Sequence, residues 1–121
     1  MKKKLCLFLG YSSKKTILIN FLRRKKIKVY EHGNKKLNNI AVKKYDFIIS
    51  FGYKKIISKK IIDCLKRPII NLHISYLPYN RGASPNFWSF KNNTPKGITI
   101  HEINHGIDTG DIIFRKKINF K

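Results

Sequence analysis

Leu5-Cys6-Leu7-Phe8-Leu9 is a run of consecutive apolar residues, the mark of a β-strand covered on both faces. A strand of that kind belongs in a largely parallel sheet with helices on either side, because a sheet with one wet face would alternate polar and apolar residues. The rest of the chain supplies the partners such a strand needs. Gly10-Tyr11-Ser12-Ser13 ends the run, and Ser12 or Ser13 is suited to cap a helix through about Lys26, with Ile17, Leu18, Phe21 and Leu22 as its apolar stripe. Ile27-Lys28-Val29-Tyr30 reads as a second strand and His32-Gly33-Asn34-Lys35-Lys36 as a loop, with one helical turn between Leu37 and Lys44. Tyr45 to Ser50 is a third strand, after which Ser58 caps a helix with Ile61, Ile62 and Leu65 inward. Pro68-Ile69-Ile70 begins a fourth strand. Ser84 and Pro85 open a helix through Phe87, Trp88 and Phe90 to about Asn92, with Trp88 assigned to the core. Gly97 to Ile103, with Thr99 and His101 outward, and Asp111 to Ile118 are the last two strands. The predicted class is α/β, a shortened, largely parallel central sheet flanked by helices, in one domain spanning 1–121.

The fourth strand ends in Asn71-Leu72-His73. Residues i and i+2 of a strand share a face, so Asn71 and His73 point one way and Leu72 goes back towards the core. In an open α/β sheet, ligands bind just past the carboxyl ends of the strands. An amide and an imidazole there are either a functional pair or the caps of the turn that follows. Downstream, Leu77-Pro78 and Arg81-Gly82 make a rigid loop. Arg81 is either a contact for a substrate anion or a donor that fixes this loop.

Composition narrows the classes of function. With 121 residues and 42% hydrophobic content, the chain is long enough to bury a core and is not a disordered tail. No apolar run reaches the roughly 18 residues of a membrane span, and Leu5 to Leu9 is too short for a signal peptide, so a cytoplasmic location is expected. Cys6 and Cys64 sit among apolar residues without a C-x-x-C partner and read as buried free thiols. His105, Asp108 and Asp111 recur at a spacing of three, but no ligand motif surrounds them and no metal is expected. The loop after the first strand lacks G-x-G-x-x-G, so no dinucleotide cofactor is expected either. The net charge of +21 is spread along the whole chain with an excess of Ile and Asn, as an AT-rich genome would encode. It implies nonspecific, salt-sensitive binding of polyanions rather than specific nucleic-acid recognition.

Read together, Asn71-Leu72-His73-Ile74-Ser75-Tyr76-Leu77-Pro78-Tyr79-Asn80-Arg81-Gly82-Ala83-Ser84-Pro85, then Gly97-Ile98-Thr99, then Gly106-Ile107-Asp108-Thr109-Gly110-Asp111-Ile112 form the pattern N-x-H-x-S-x-L-P-x-x-R-G-x-x-P, G-x-T, G-x-D-x-G-x-I. This pattern resembles the folate-dependent formyltransferases, a family that includes glycinamide ribonucleotide transformylase, methionyl-tRNA formyltransferase and the nucleotide-sugar N-formyltransferases. The likeness runs from about Phe47 to about Ile118, and Leu77 to Trp88 is most similar to the sugar branch.

The resemblance implies a Rossmann-like formyltransferase fold and transfer of a formyl group from N10-formyltetrahydrofolate to an amine, most readily that of a nucleotide-linked amino sugar. It implies Asn71, His73 and Asp108 as catalytic residues. Tyr53, Lys54, Lys55, Ile56, Ile57, Gly106, Ile107 and Asp111 would contact the folate, and Ser75, Tyr79, Asn80, Arg81 and Gly82 the acceptor. Without the resemblance, Tyr53 to Ile57 read as a strand-to-helix turn, and Asp111 as the capping start of the last strand. The chemistry asks for donors aimed at a developing oxyanion and for a group that moves a proton from the attacking amine to the leaving nitrogen. Asn71 offers an amide donor that does not titrate, an imidazole shuttles protons near neutral pH, and Asp108 would hold that imidazole.

Relatives in the family continue past the last strand into further helices and, in the sugar and tRNA branches, a separate C-terminal domain. They also carry one more strand-helix unit between the positions of Tyr30 and Tyr45. The catalytic apparatus is therefore expected here with an incomplete acceptor site, which leaves room for a homo-oligomer whose neighbours complete it. A methionyl-tRNA formyltransferase-like enzyme and a truncated folate-binding remnant with little turnover are the alternatives.

Overall fold

The apolar run at the start forms β1 (Leu5–Gly10), which lies between β2 (Lys28–Gly33) and β3 (Phe47–Phe51) and parallel to both. A computed structural model of the chain describes residues 2–38, 41–73, 97–103 and 112–117, in two units, Met1–Ile69 and Ile70–Lys121. Within the first unit β1 is buried on both faces: Cys6, Phe8 and Leu9 are wholly inaccessible and Leu7 nearly so. One face carries a cluster of Cys6, Phe8, Val29 and Ile19, with Leu18, Leu22, Ile27, Phe47, Ile49 and Phe51 packed against it. Each apolar side chain fully removed from water contributes about 1.5–3 kcal/mol, so this cluster is a substantial favourable term for the unit. Its edges are pinned by hydrogen bonds. Leu5 N donates to Asp46 Oδ2 at 2.6 Å, Asp46 N donates to Leu5 O at 2.9 Å, and Lys28 N donates to Lys4 O at 2.9 Å.

The first helix, α1 (Leu18–Arg24), is shorter than the sequence predicts, and its inward face differs. Ser12 gives its carbonyl to the N–H groups of Lys15 and Thr16 and its hydroxyl to that of Lys14, closing a turn of its own. The Ser13 N–H goes to Glu31 Oε1 at 2.8 Å. With both serines engaged, the helix starts after Ile17 without a side-chain cap. The later start turns Ile19 fully inward, flanked by Leu18 and Leu22, and leaves Ile17 85% and Phe21 44% exposed. The predicted stripe of Ile17, Leu18, Phe21 and Leu22 is therefore half right. The second strand also runs further than expected: His32 and Gly33 belong to it, through a bulge that pairs Phe8 with Glu31 and Leu9 with Gly33. A 3-10 turn at Ala41–Lys44 follows, and α2 (Lys59–Cys64) is capped by Ser58, whose hydroxyl accepts from Ile61 N at 3.3 Å, as predicted.

In the second unit, β5 (Gly97–Glu102) pairs antiparallel with β4 (Ile70–His73) and with β6 (Ile112–Lys117). The parallel character predicted for the sheet is thus that of the first unit. The helix predicted for Ser84 to Asn92, with Trp88, lies outside the described residues. Leu72 is half-buried rather than part of the core, whereas Ile69 is 2% exposed. Both cysteines are free. Burial pushes the Cys6 thiol up to about 12, against a smaller opposing effect of the Ile49 backbone, and Cys64 is half-buried with its Sγ donating to Ile61 O. Among the described residues no helix is long and apolar enough to cross a membrane.

Two backbone positions yield opposite expectations. At Gly10 φ is +105°, and a methyl there would run into the Phe51 carbonyl that accepts from Tyr11 N. At the end of α1, Lys26 takes φ +67° while its N–H donates to Arg23 O and that of Ile27 to Leu22 O. This is the reciprocal helix stop in which glycine is favoured, because a side chain in the left-handed region costs about 1–2 kcal/mol. Gly10→Ala should destabilise by at least about 1–3 kcal/mol. Lys26→Gly should stabilise by about 0.5–1 kcal/mol, once the entropy that glycine adds to the unfolded chain is deducted. Urea unfolding of both variants decides, and a stabilising Gly10→Ala or a destabilising Lys26→Gly would contradict these backbone assignments.

Candidate active site

Strand β5 buries the face that its composition would place outside. Thr99 and His101 are 0% and 1% exposed, while Ile98 and Ile100 on the opposite face are only half-buried. The register explains which groups they meet: Asn71 lies opposite His101 and His73 opposite Thr99. Directly opposed residues of an antiparallel pair share a face, so Asn71, His73, Thr99 and His101 form one polar patch. On the other side of β5 the register shifts between Ile100 and His101, so that Phe114 faces Ile100 and Ile112 faces His101, with Ile113 as the extra residue. Bulges of this kind re-aim side chains beside functional sites.

Polar groups inside a protein cost about 1–3 kcal/mol each if left unpaired, so the patch has to satisfy itself. Asn71 Nδ2 lies 3.1 Å from His101 Nε2, and His101 Nδ1 lies 3.0 Å from the Glu102 carbonyl oxygen. His73, 6% exposed, stands edge-on to His101 with ring centroids 6.2 Å apart and planes at 73°. Among the described residues no buried side-chain nitrogen or oxygen lacks a partner. The assignment of Thr99 and His101 to an outward face is therefore corrected. Both are buried members of the patch.

A second set of predicted residues follows β3 in the first unit. Gly52, at φ +75°, lets the chain turn against the Tyr11 ring, which also meets Phe51 edge-on at 4.9 Å. Tyr53 then donates its hydroxyl to Lys35 O at 2.7 Å, His32 Nε2 donates to the same carbonyl at 2.8 Å, and Lys54 N donates to Asn34 Oδ1 at 2.9 Å. Tyr53 to Lys54 are in this way tied to the loop after β2. Lys54, Lys55 and Ile56 face solvent, Ile56 at 89%, and Ile57 is half-buried. Nearby, Glu31 accepts from Ser13 N and from Arg23 Nη2, and the Ser13 N–H in particular holds its carboxyl below the usual carboxylate range.

The family model described as formyl transferase matches residues 2–121. The chain belongs to that family. Among solved structures, the formyltransferase PseJ from Anoxybacillus kamchatkensis, in complex with UDP-4,6-dideoxy-4-formamido-L-AltNAc and tetrahydrofolate, is 43% identical with a TM-score of 0.86, over 97% of this chain and 61% of that one. The methionyl-tRNA formyltransferase of Clostridium thermocellum shares the fold, with a TM-score of 0.78 at 23% identity over 98% of this chain and 54% of that one. Among curated proteins, the methionyl-tRNA formyltransferase of Finegoldia magna is 42% identical over 60% of this chain and 24% of its own length. That of Fusobacterium nucleatum is 35% identical over 75% of this chain and 31% of its own length. The chain spans about a quarter to a third of the curated relatives it matches. The Rossmann-like α/β class expected from the sequence is the fold of these structures.

Of the residues that the formyl transferase pattern singles out, Asn71, half-buried, and His73, buried, share one face with Thr99 of the G-x-T motif. Asp108, Gly106, Ile107 and Asp111 lie outside the described residues, as do Ser75, Tyr79, Asn80, Arg81 and Gly82. The residue missed by sequence reasoning is His101. Its signal was available, since Gly97-x-Thr99-x-His101 puts two polar groups on one face of a strand beside Asn71-x-His73.

Burial holds the Tyr53 phenol above its ordinary range, with the Leu37 backbone opposing. A raised folded value means that the stability it carries is intact below the unfolded tyrosine value, about 10, and is lost as pH rises through the folded one. Unfolding free energy should therefore decline above about pH 10, and the decline should be shallower in Tyr53→Phe. Parallel curves for wild type and variant would show that the phenol is not held this way.

Proposed function

We propose that the chain transfers a formyl group from N10-formyltetrahydrofolate to a primary amine, and that the acceptor is the amino group of a nucleotide-linked amino sugar. The observation that carries this reading is the placement of half-buried Asn71 and buried His73 on one polar face. A donor that keeps its protons at any pH stands there beside a group able to take a proton and give it back.

The folate supplies the formyl group. Asn71 donates an N–H to the formyl oxygen, a bond that strengthens as negative charge builds there and that burial makes stronger than it would be in water. His73 takes the proton of the attacking amine and delivers it to the departing nitrogen. Asp108 orients the imidazole and stabilises its charged form. Tyr53, Lys54, Lys55, Ile56, Ile57, Gly106, Ile107 and Asp111 hold the folate. The exposed Ile56 fits that role, because a flat ring system would cover an apolar side chain that the chain itself leaves to water. Ser75, Tyr79, Asn80, Arg81 and Gly82 receive the acceptor.

Likeness to PseJ across nearly the whole chain, and the sugar nucleotide in its complex, support a sugar acceptor. A second reading, methionyl-tRNA, is favoured by the names of the curated relatives, whose likeness covers less of the chain. Incubation with N10-formyltetrahydrofolate and either UDP-linked amino sugars or methionyl-tRNA, followed by mass spectrometry of the products, separates the two. Formylmethionyl-tRNA without formylated sugar would overturn the sugar reading, and folate binding without tetrahydrofolate release would overturn catalysis. In the active pairing, Asn71→Ala should slow transfer by about 10²–10³-fold and His73→Ala by about 10²–10⁴-fold. Asp108→Ala combined with His73→Ala should be little worse than His73→Ala alone, since residues acting as a unit are non-additive. Undiminished transfer by His73→Ala would refute the mechanism.

A further inference from the structure

The Glu102 carbonyl oxygen can only accept, so the His101 nitrogen facing it, Nδ1, carries a proton. In a neutral ring the other nitrogen, Nε2, is then an acceptor, and the group it meets at 3.1 Å is the carboxamide nitrogen of Asn71. Each bond requires the other. If Nε2 carried the proton instead, it would face the Asn71 NH2 donor to donor, and Nδ1 would face a carbonyl with nothing to give. We propose that His101 is a positioning residue: it accepts one N–H of Asn71 and thereby fixes the flip and plane of that carboxamide, leaving the second N–H of the same group for the reacting oxygen.

Three observations support this assignment. An asparagine side chain has two flip states of nearly equal shape, and packing alone distinguishes them poorly. An acceptor-only partner distinguishes them outright, because only the state with nitrogen towards His101 makes the bond. His101 is itself held on two sides, by the Glu102 carbonyl and by burial to 1% exposure. Its place on the shared face is set by the unbroken β4–β5 register, in which it lies directly opposite Asn71. A donor misplaced by about 1 Å costs on the order of 10²-fold in rate, so holding this amide in one orientation matters to the reaction.

The role in catalysis rests on the formyl-transfer reading, whereas the hydrogen-bond geometry does not, and the test uses one readout for each. In the full chain, ¹⁵N spectra of the histidine rings at neutral pH should show His101, identified by its loss in His101→Gln, protonated at Nδ1 and bare at Nε2. The Asn71 carboxamide protons, identified by their loss in Asn71→Ala, should include one that is shifted and slow to exchange, and it should return to an ordinary position in His101→Phe. A ring protonated at Nε2, or Asn71 protons unmoved by His101→Phe, overturns the proposal whether or not the chain transfers a formyl group. In kinetics, His101→Phe should lower kcat by about 10–10²-fold with folate binding unchanged. His101→Gln, whose Oε1 sits where Nε2 was and accepts from Asn71, should restore most of that loss. A residue needed only for packing would give the reverse order, Phe tolerated and Gln not, and that result also overturns the proposal. If His101→Phe fails to fold, the wild-type spectra and the Gln variant decide it. Absence of transfer by the wild type counts against the functional reading alone.

Discussion

The first unit depends on a single constraint, the removal of β1 from water on both faces. Because Cys6 and Phe8 point one way and Leu7 and Leu9 the other, all of them buried, the strand has to be interior within its sheet and covered above and below. Parallel neighbours follow from that, since the crossovers that join parallel strands are what cover the faces. The same geometry brings the ends of β1, β2 and β3 together, and with them Tyr11, the His32 to Lys35 segment and Gly52 to Lys54. The predicted folate segment is a strap, tied down by Tyr53 and by the Asn34 side chain, before it is anything else.

The second unit follows a different rule. On β5 the chain covers Thr99 and His101 and leaves Ile98 and Ile100 half in water. On transfer energies alone this is the costlier choice, and it is tolerable because every buried side-chain nitrogen and oxygen among the described residues has a partner. Structures depart from local rules of patterning where function requires it, and this inverted strand is the clearest departure in the chain.

That inversion also marks the limit of what the sequence makes legible. Periodicity gives Ile98 and Ile100 one face and Thr99 and His101 the other, but period two is silent about which face is covered, and the default places isoleucine inside. The covered face is decided by the pairing of Asn71 with His101 and of His73 with Thr99, contacts across thirty and twenty-six residues that no local window contains. In the same way, the start of α1 was obscured because Ser12 and Ser13 are good caps that are already engaged, one by its own turn and one by Glu31 from β2. What was legible was local: the double-faced strand, the Ser58 cap, the alternation at the start of β2, the apolar run of β3, and the Asn71-x-His73 alternation.

Charge, the most conspicuous property of the composition, is close to silent about the fold and about the choice between acceptors. With 27 basic and 6 acidic residues, at least 21 positive charges have no carboxylate of the chain to pair with one to one. Two of the acids are engaged elsewhere as well, Asp46 on the Leu5 N–H and Glu31 on the Ser13 N–H. The surplus sets up a long-range field that draws in any polyanion and weakens with salt over a Debye length of about 8–10 Å. A nucleotide-linked sugar and an aminoacyl-tRNA would both be steered by it, the tRNA more strongly because it carries more phosphates. That preference is for charge and not for an acceptor amine, so specificity has to come from short-range contacts with the acceptor, the role proposed for Ser75, Tyr79, Asn80, Arg81 and Gly82.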